Sequence, residues 1–345
     1  MNILIVTDAW SPQVNGVVRT LQSVRSELEK MGHAVSVISP DQFRSLPCPT
    51  YPEIRLALTA RVGRWIEAAA PDAIHVATEG PLGLAARRYC IRRNLPFTTA
   101  YHTQFPEYVA KRTKLPARWF WRYIRWFHGP AKAVMVSTPT VERQLHDNGI
   151  PHTRHWGRGV DLACFTVAGA RHPAFADLAH PIQLYVGRVA IEKNIDAFLR
   201  SSHPGTKVVV GDGPGLEAMR SRFPDIRFLG KLLGAELASA YRSADVFVFP
   251  SRTDTFGLVL IEALATGTPV AAYPVQGPID VLIEAVGAMD EDLDRAIALA
   301  LTRDRAVCAE YASHFGWSES AKQFLEGLVP IRREPSAGAA MLEKA

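Results

Sequence analysis

Two carboxylates stand close together in "PSRTDTFGLVLIEALATGTPV" (250–270): Asp254 ahead of "TFG", and Glu262 behind the apolar "LVLI". Paired acids can act as general acid and base only when both reach the same proton. Eight residues of helix would set them roughly 12 Å apart, too far for shared proton chemistry. That spacing suits the two ends of one ligand instead, each ionised carboxylate accepting hydroxyl protons at about 1.5–3 kcal/mol per bond. The competing reading is a loop acid and a helix acid with no common partner.

Other polar residues follow apolar runs in the same way. "GRVAIEKN" (187–194) places Arg188 and Lys193 around Glu192, and two such cations could neutralise a diphosphate and support its departure. A solvated charge pair at a helix start is the alternative. "AYHTQFPEYV" (100–109) puts His102 directly after an apolar strand, placed to bond a sugar hydroxyl or to assist proton movement, or simply a satisfied structural histidine. Asn15-Gly16 closes the loop after the first strand, and Gly16 lets an anion approach a helix N-terminus. "VVVGDGPG" (208–215) has glycines at 211, 213 and 215, which is not the dinucleotide fingerprint, so it reads as a turn lining a cleft. "MDEDLD" (289–294) reads as an acidic helix start behind no strand, and not as a metal site.

These residues need elements to hold them. "NILIVT" (2–7), "AVSVIS" (34–39), "AIHVA" (73–77), "FTTAY" (97–101) and "AVMVS" (133–137) read as buried parallel strands, with helical patterns between them. After a polar linker at 161–180 the rhythm restarts with "IQLYVG" (182–187), "KVVVG" (207–211), "IRFLG" (226–230), "DVFVFP" (245–250) and "PVAAY" (269–273). The expected class is α/β, two doubly wound domains facing each other across a cleft.

Bulk properties narrow the function. The chain has 345 residues, 48% hydrophobic and 21% charged, a globular balance that excludes wholesale disorder. No run approaches the roughly 18 apolar residues of a membrane span, and no leader peptide is read at the start. Cys48, Cys90, Cys164 and Cys308 lie far apart, which argues against a zinc cluster or disulfide framework and for reduced thiols. Residues 1–165 carry a net charge of +9 and the remainder −4, so the first half is expected to face something anionic. Nucleic acid is not expected, because no reading motif is present. "KRTKLPARWFWRYIRWFHGPAK" (111–132) holds seven Lys/Arg and no acid. Arg118, Arg122 and Arg125 fall on one stripe, with Trp119, Phe120, Tyr123, Trp126 and Phe127 filling much of the rest. Such a helix suits an anionic membrane surface, with Arg118, Trp119, Arg122, Arg125 and Trp126 facing it. A core helix with solvated arginines is the alternative.

Taken together, "NGVVRT", "AYHTQFPEY", "GRVAIEKN", "VVVGDGP", "SADVFVFPS", "TDTFGLVLIEALATGTPV" and the "GVD" at 159–161 resemble the family-four retaining glycosyltransferases, from residue 1 to about 328. The resemblance implies the GT-B fold, two Rossmann-like domains. Residues 1–165 would bind the acceptor and 166–311 the nucleotide sugar, with a helix at about 312–330 packing back on the first domain and 331–345 as a tail. By motif position, Glu262 would bond the donor ribose and Asp254 the sugar hydroxyls, while Phe256, Gly257 and Leu258 present backbone amides. Arg188 and Lys193 would hold the diphosphate, Gly16 would approach it from the other domain, and His102 would sit by the transferred sugar. The nucleobase would lie near Gly230 and Lys231. The family needs no catalytic metal and no cofactor, and the leaving diphosphate itself helps deprotonate the acceptor. Many members have Glu where this chain has Asp254, a shorter acid that changes the reach to the sugar.

The basic aromatic segment and the likeness to lipid-glycosylating members together lead to a preferred expectation. It is a cytoplasmic enzyme, peripheral on the inner face of the cell membrane, moving a hexose from a UDP-sugar to a lipid such as diacylglycerol. The alternative is a GDP-mannose-dependent α-mannosyltransferase acting on a glycolipid or polysaccharide precursor. An NAD(P)-linked oxidoreductase would need the glycine fingerprint that is missing. A non-catalytic membrane module would tolerate the loss of Glu262.

Overall fold

The computed structural model describes residues 1–13, 15–47, 55–59, 61–102 and 116–332. Its strands are β1 (Asn2–Val6), β2 (Ala34–Ile38), β3 (Ser45–Pro47), β4 (Arg55–Ala57), β5 (Ala73–Val76), β6 (Thr98–Ala100), β7 (Ala133–Val136) and β8 (Thr153–His155) in the first domain. The second domain has β9 (Ile182–Val186), β10 (Thr206–Val210), β11 (Arg227–Gly230), β12 (Val246–Phe249), β13 (Val270–Ala272) and β14 (Gly287–Met289). Each domain holds one six-stranded parallel sheet, ordered β2-β1-β5-β6-β7-β8 and β11-β10-β9-β12-β13-β14. Runs such as Ile3, Leu4, Ile5 and Val6 are fully buried, because helices cover both faces of each sheet. This is the GT-B architecture. Sequence reading missed β8, β14 and the small antiparallel pair β3–β4. The acidic run at 289–294 therefore does follow a strand, and its Asp292 caps the helix Leu293–Ala300.

The sheet orders fix where a ligand can enter. In the second sheet the chain winds one way from β9 through β10 to β11 and the other way through β12, so a crevice opens beyond the carboxyl ends of β9 and β12. The segments leaving those two ends are 187–194 and 250–258. In the first sheet the reversal lies between β1 and β5, with β6 next in order.

The chain crosses between the domains twice. The linker at 161–180 is packed and not loose: Phe165 and Phe175 are buried in the core of the second domain. At the return crossing Val160 bridges Gly316, and the helix Trp317–Gly327 follows. Its Ala321 and Phe324 join Leu21, Val24, Leu28 and Trp156 in the core of the first domain. No helix among the described residues is long and apolar enough to cross a membrane.

Candidate functional site

The segment after β9 is held by the one after β10. A Cβ on Gly211 would lie 1.8 Å from the Gly187 carbonyl oxygen, so only glycine permits this approach. The amide of Val189 donates to the Asp212 carbonyl (2.9 Å), and the Tyr185 hydroxyl donates to the Arg188 carbonyl (2.8 Å). The glycines of "VVVGDGPG" thus support the loop carrying Arg188. Asn194 ties the same segment to β12 by donating to the Pro250 carbonyl (3.0 Å).

Across this junction the Lys193 ammonium meets Asp254 Oδ1 at 2.5 Å. Sequence reading gave these two residues separate duties, and the structure pairs them. Burial pushes the Asp254 carboxyl up, but the Lys193 charge outweighs it and the group lies below the usual carboxylate range. Asp254 Oδ2 is buried and makes no hydrogen bond of good geometry among the described residues, although the nearby Ser251 hydroxyl also helps to hold the carboxyl down.

Gly257, at φ +82°, turns the chain into the helix Leu258–Ala265. Phe256, Gly257 and Leu258 therefore sit at a helix N-terminus, where amides lack intrahelical partners. Only the last part of the Asp254–Glu262 stretch is helical, so the turn at Gly257 sets their separation, not a continuous helical rise. Glu262 is 2% exposed. Its Oε1 pairs with the Arg19 guanidinium at 2.6 Å, and Oε2 accepts from the Tyr241 hydroxyl at 3.2 Å. Burial raises the Glu262 carboxyl despite Arg19, so the two acids, both expected to sit as ordinary ionised acceptors, shift in opposite directions.

Arg19 belongs to the first domain, in the helix Gly16–Lys30 that Asn15 caps by accepting from the Val18 amide (3.0 Å). A Cβ on Gly16 would come within 3.8 Å of Leu258, so this glycine faces the second domain at the cleft. Two further contacts cross the cleft. The Thr255 hydroxyl donates to the His102 carbonyl (2.8 Å), and the Thr140 hydroxyl donates to Asp280 (2.8 Å). His102 is thereby brought beside Asp254, through Thr255. Its Nδ1 accepts from Arg158 (3.1 Å), while Nε2 is buried without a partner among the described residues. Burial, then the Arg158 charge, hold the imidazole well below its ordinary value, so the ring is neutral.

Gly230 lies beside the glycine turn after β10, its carbonyl accepting from the Gly211 amide (2.7 Å), and Lys231 is exposed. Sequence reading missed Arg19, Tyr241 and Arg158. Arg19 stands one helical turn beyond Gly16 inside "NGVVRT", and Arg158 directly precedes "GVD", so both lay within motifs already singled out. Asp8, after β1, is occupied structurally: it accepts from the amides of Leu82 (2.8 Å) and Gly83 (3.3 Å) and from Thr78 (2.8 Å). A cavity of about 440 Å³ is lined by none of these residues. Arg242 and Arg305 on its wall bond the backbone carbonyls of Thr166 and Ala244.

The basic aromatic helix spans Ala117–His128. Trp119 and Trp126 are 58% and 53% exposed, and Arg118, Arg122 and Arg125 are exposed too. Phe127 is buried with Trp121 and Ile124 on the opposite face, and the Tyr123 hydroxyl donates to the Glu79 carbonyl (2.6 Å). Trp126 is stacked by Arg87, and Arg125 donates to the Asn148 carbonyl (2.8 Å). Lys111, Arg112 and Lys114, which complete the basic run, and Cys48 lie outside the described residues.

Residues 14–163 match the profile of Glycosyltransferase Family 4, and residues 180–303 that of Glycosyl transferases group 1. A GDP-mannose-dependent alpha-mannosyltransferase of Mycobacterium tuberculosis is 31% identical over 92% of this chain and 93% of its own. The chain belongs to glycosyltransferase family 4. An alpha-monoglucosyldiacylglycerol synthase of Streptococcus pneumoniae is 28% identical to this glycosyltransferase over 79% of it and 71% of the relative. The sucrose-phosphate synthase of Thermosynechococcus elongatus superposes with a TM-score of 0.74 at 21% identity, covering 94% of this chain and 97% of that one, which agrees with the GT-B fold.

Proposed function

We propose that this glycosyltransferase moves a hexosyl group, with retention at the anomeric carbon and without a metal, from a nucleoside-diphosphate sugar to a lipid at a membrane surface. One observation carries the donor half. Two buried polar atoms that make no hydrogen bond of good geometry among the described residues, the acceptor Asp254 Oδ2 and the ring nitrogen His102 Nε2, flank the Thr255 contact across the cleft. A sugar, whose hydroxyls both donate and accept, would pair both. Arg188, Lys193 and the helix N-terminus at Phe256, Gly257 and Leu258 supply the positive potential a diphosphate needs. Gly16 closes over it from the first domain, Glu262 takes the ribose, and Gly230 and Lys231 flank the base.

Glu262 is held at both oxygens by Arg19 and Tyr241, and Asp254, paired to Lys193 through Oδ1, keeps only Oδ2 open, which in this reading accepts from a sugar hydroxyl and does not attack the anomeric carbon. That supports a front-face displacement. The bond from the anomeric carbon to the diphosphate oxygen breaks, the acceptor oxygen bonds on the same face, and the departing diphosphate takes the acceptor proton.

The lipid acceptor rests on the exposed Trp119 and Trp126 beside Arg118, Arg122 and Arg125, a surface suited to anionic headgroups on the cytoplasmic face of the cell membrane. For the donor base, the fuller match to the GDP-mannose-dependent relative favours GDP-mannose over the UDP-hexose preferred from sequence. The test is a screen of UDP- and GDP-sugars with and without diacylglycerol-containing anionic liposomes, with lipid products identified by mass. One nucleotide sugar giving a lipid-linked hexose, resistant to chelator, is expected. Full turnover on water-soluble acceptors with no liposome binding refutes the lipid half, and no transfer from any sugar nucleotide refutes the whole.

A further inference from the structure

Arg158 is 7% exposed and carries no carboxylate partner among the described residues. Its guanidinium donates to the carbonyls of Trp156 (2.6 Å) and Gly157 (3.2 Å), lies 4.6 Å over the Trp156 ring, and donates to His102 Nδ1 (3.1 Å). A buried cation without a counter-ion is costly, and nothing in the packing of Trp156 requires one. That indole is held independently, its Nε1 donating to Ser320 (3.1 Å) in the helix Trp317–Gly327, with its ring edge-on to His102 at 5.4 Å.

A guanidinium has donors only. Where it points an N–H at Nδ1, that nitrogen must offer its lone pair, so the ring proton sits on Nε2. A doubly protonated ring would set two N–H groups against each other and two cations side by side. We propose that Arg158 is a positioning residue that fixes His102 as a neutral imidazole protonated on Nε2, so that His102 donates a hydrogen bond to an oxygen of the bound ligand and never takes the acceptor's proton. This narrows the two roles open to His102 from sequence to one. It rests on the proposed glycosyl transfer only for the identity of that oxygen, which would belong to the transferred sugar or to the leaving diphosphate.

The surroundings agree. Burial pulls Arg158 down only to about 9, so it stays charged at neutral pH. The other titratable groups acting on His102 are His75, held down to about 3 by burial and then by Arg158, and His128, whose Nε2 lies 3.3 Å from Glu79. No carboxylate touches the His102 ring among the described residues.

The test uses the full chain labelled with nitrogen-15. Two-bond proton–nitrogen correlation, with His102 assigned by its loss in His102→Gln, should give the neutral Nε2–H pattern, unchanged from roughly pH 8 to pH 5. Arg158→Gln removes the obligatory donor, since its amide can also accept, and should let the ring proton move to Nδ1, so that an Nδ1–H pattern appears and turnover falls. Arg158→Lys should restore the neutral Nε2–H pattern. His102→Gln, which keeps a donor N–H but cannot act as a base, should retain turnover within about tenfold of wild type, while His102→Ala loses far more. A wild-type Nδ1–H pattern or an imidazolium above about pH 5.5 overturns the proposal. So do equal losses in His102→Gln and His102→Ala, or an Arg158→Gln chain that keeps the wild-type spectrum and turnover with only a lower melting temperature. Should Arg158→Gln not fold, the wild-type spectrum and Arg158→Lys still decide. The spectra need no turnover, so a failed donor screen counts against the glycosyl-transfer reading alone.

Discussion

Replacing Glu262 with Gln separates a ligand-binding role from a clasp between domains. The side chain keeps its shape, its amide oxygen can still accept from Arg19, and its amide nitrogen can donate to the Tyr241 oxygen, so the fold is expected to survive. The lost ion pair is buried at Glu262 but solvated at Arg19, whose side chain is 40% exposed, and that screening holds its net contribution to about 1 kcal/mol. Relief from burying a charge offsets some of that, and the melting temperature should move by no more than a few degrees. Ligand binding should respond differently. A hydroxyl bonded to a carboxylate is stabilised by about 1.5–3 kcal/mol, against about 0.5–1.5 for a neutral acceptor. Two ribose hydroxyls on Glu262 would then cost about 2–3 kcal/mol on substitution, which is roughly a 30- to 150-fold rise in Kd. Isothermal titration calorimetry with UDP and with GDP reads this directly. An unchanged Kd with a lowered melting temperature would show that Glu262 serves only to hold Arg19, and the ribose assignment would fall.

Arg19→Ala leaves Glu262 with Tyr241 alone, so the carboxyl that burial already raises moves further up. Nucleotide affinity should then fade as pH falls, starting at a higher pH than in wild type, which calorimetry at several pH values would detect. Lys193→Met leaves the Asp254 charge unpaired and removes a cation from the diphosphate, and should lower kcat by about a hundredfold or more, with product release excluded by single-turnover measurement. His75 is buried and neutral, its folded value about 3 against an ordinary 6.5. Below 6.5 the unfolded chain takes up a proton that the folded chain refuses, so stability falls as pH drops towards 3, by about 2 kcal/mol at pH 5. Urea midpoints at neutral and acid pH, compared with His75→Gln, isolate that share. Arg118→Glu with Arg122→Glu should weaken sedimentation with anionic liposomes by about fivefold or more per charge and leave neutral liposomes indifferent.

What could be read from the residues follows a physical division. Ten of the twelve parallel strands lie in short runs rich in apolar and β-branched residues, because both faces of a parallel sheet are covered, and such runs stand out without any partner being known. The two that escaped, β8 as "TRH" and β14 as "GAM", are three-residue edge strands, the first polar and the second without a β-branched or aromatic residue. The site divides in the same way. Residues that follow strands within one domain, such as Asp254 and Lys193, could be picked out from position. Their mutual ion pair could not, because it depends on how two loops pack. Arg19 and Arg158 act on Glu262 and His102 from 243 and 56 positions away in the chain, a relation no local pattern carries.

The contacts across the cleft have a consequence for order of binding. Arg19–Glu262 and Thr255–His102 join the domains through residues assigned to the donor, whereas Thr140–Asp280 does not. A ribose that takes Glu262 must share it with Arg19, so donor binding and this clasp draw on the same buried oxygens. Thr255 instead bonds the His102 backbone, leaving the ring and Asp254 Oδ2 open to the sugar. The two ends of the donor therefore meet different conditions: the ribose end competes with an existing contact, and the sugar end meets atoms that lack a good hydrogen bond. On this arrangement a nucleoside diphosphate alone should bind less tightly than the intact sugar nucleotide, since it meets the competition without the compensation. Calorimetry with GDP against GDP-mannose, and UDP against UDP-glucose, checks it, and a diphosphate that binds more tightly than its sugar conjugate refutes it.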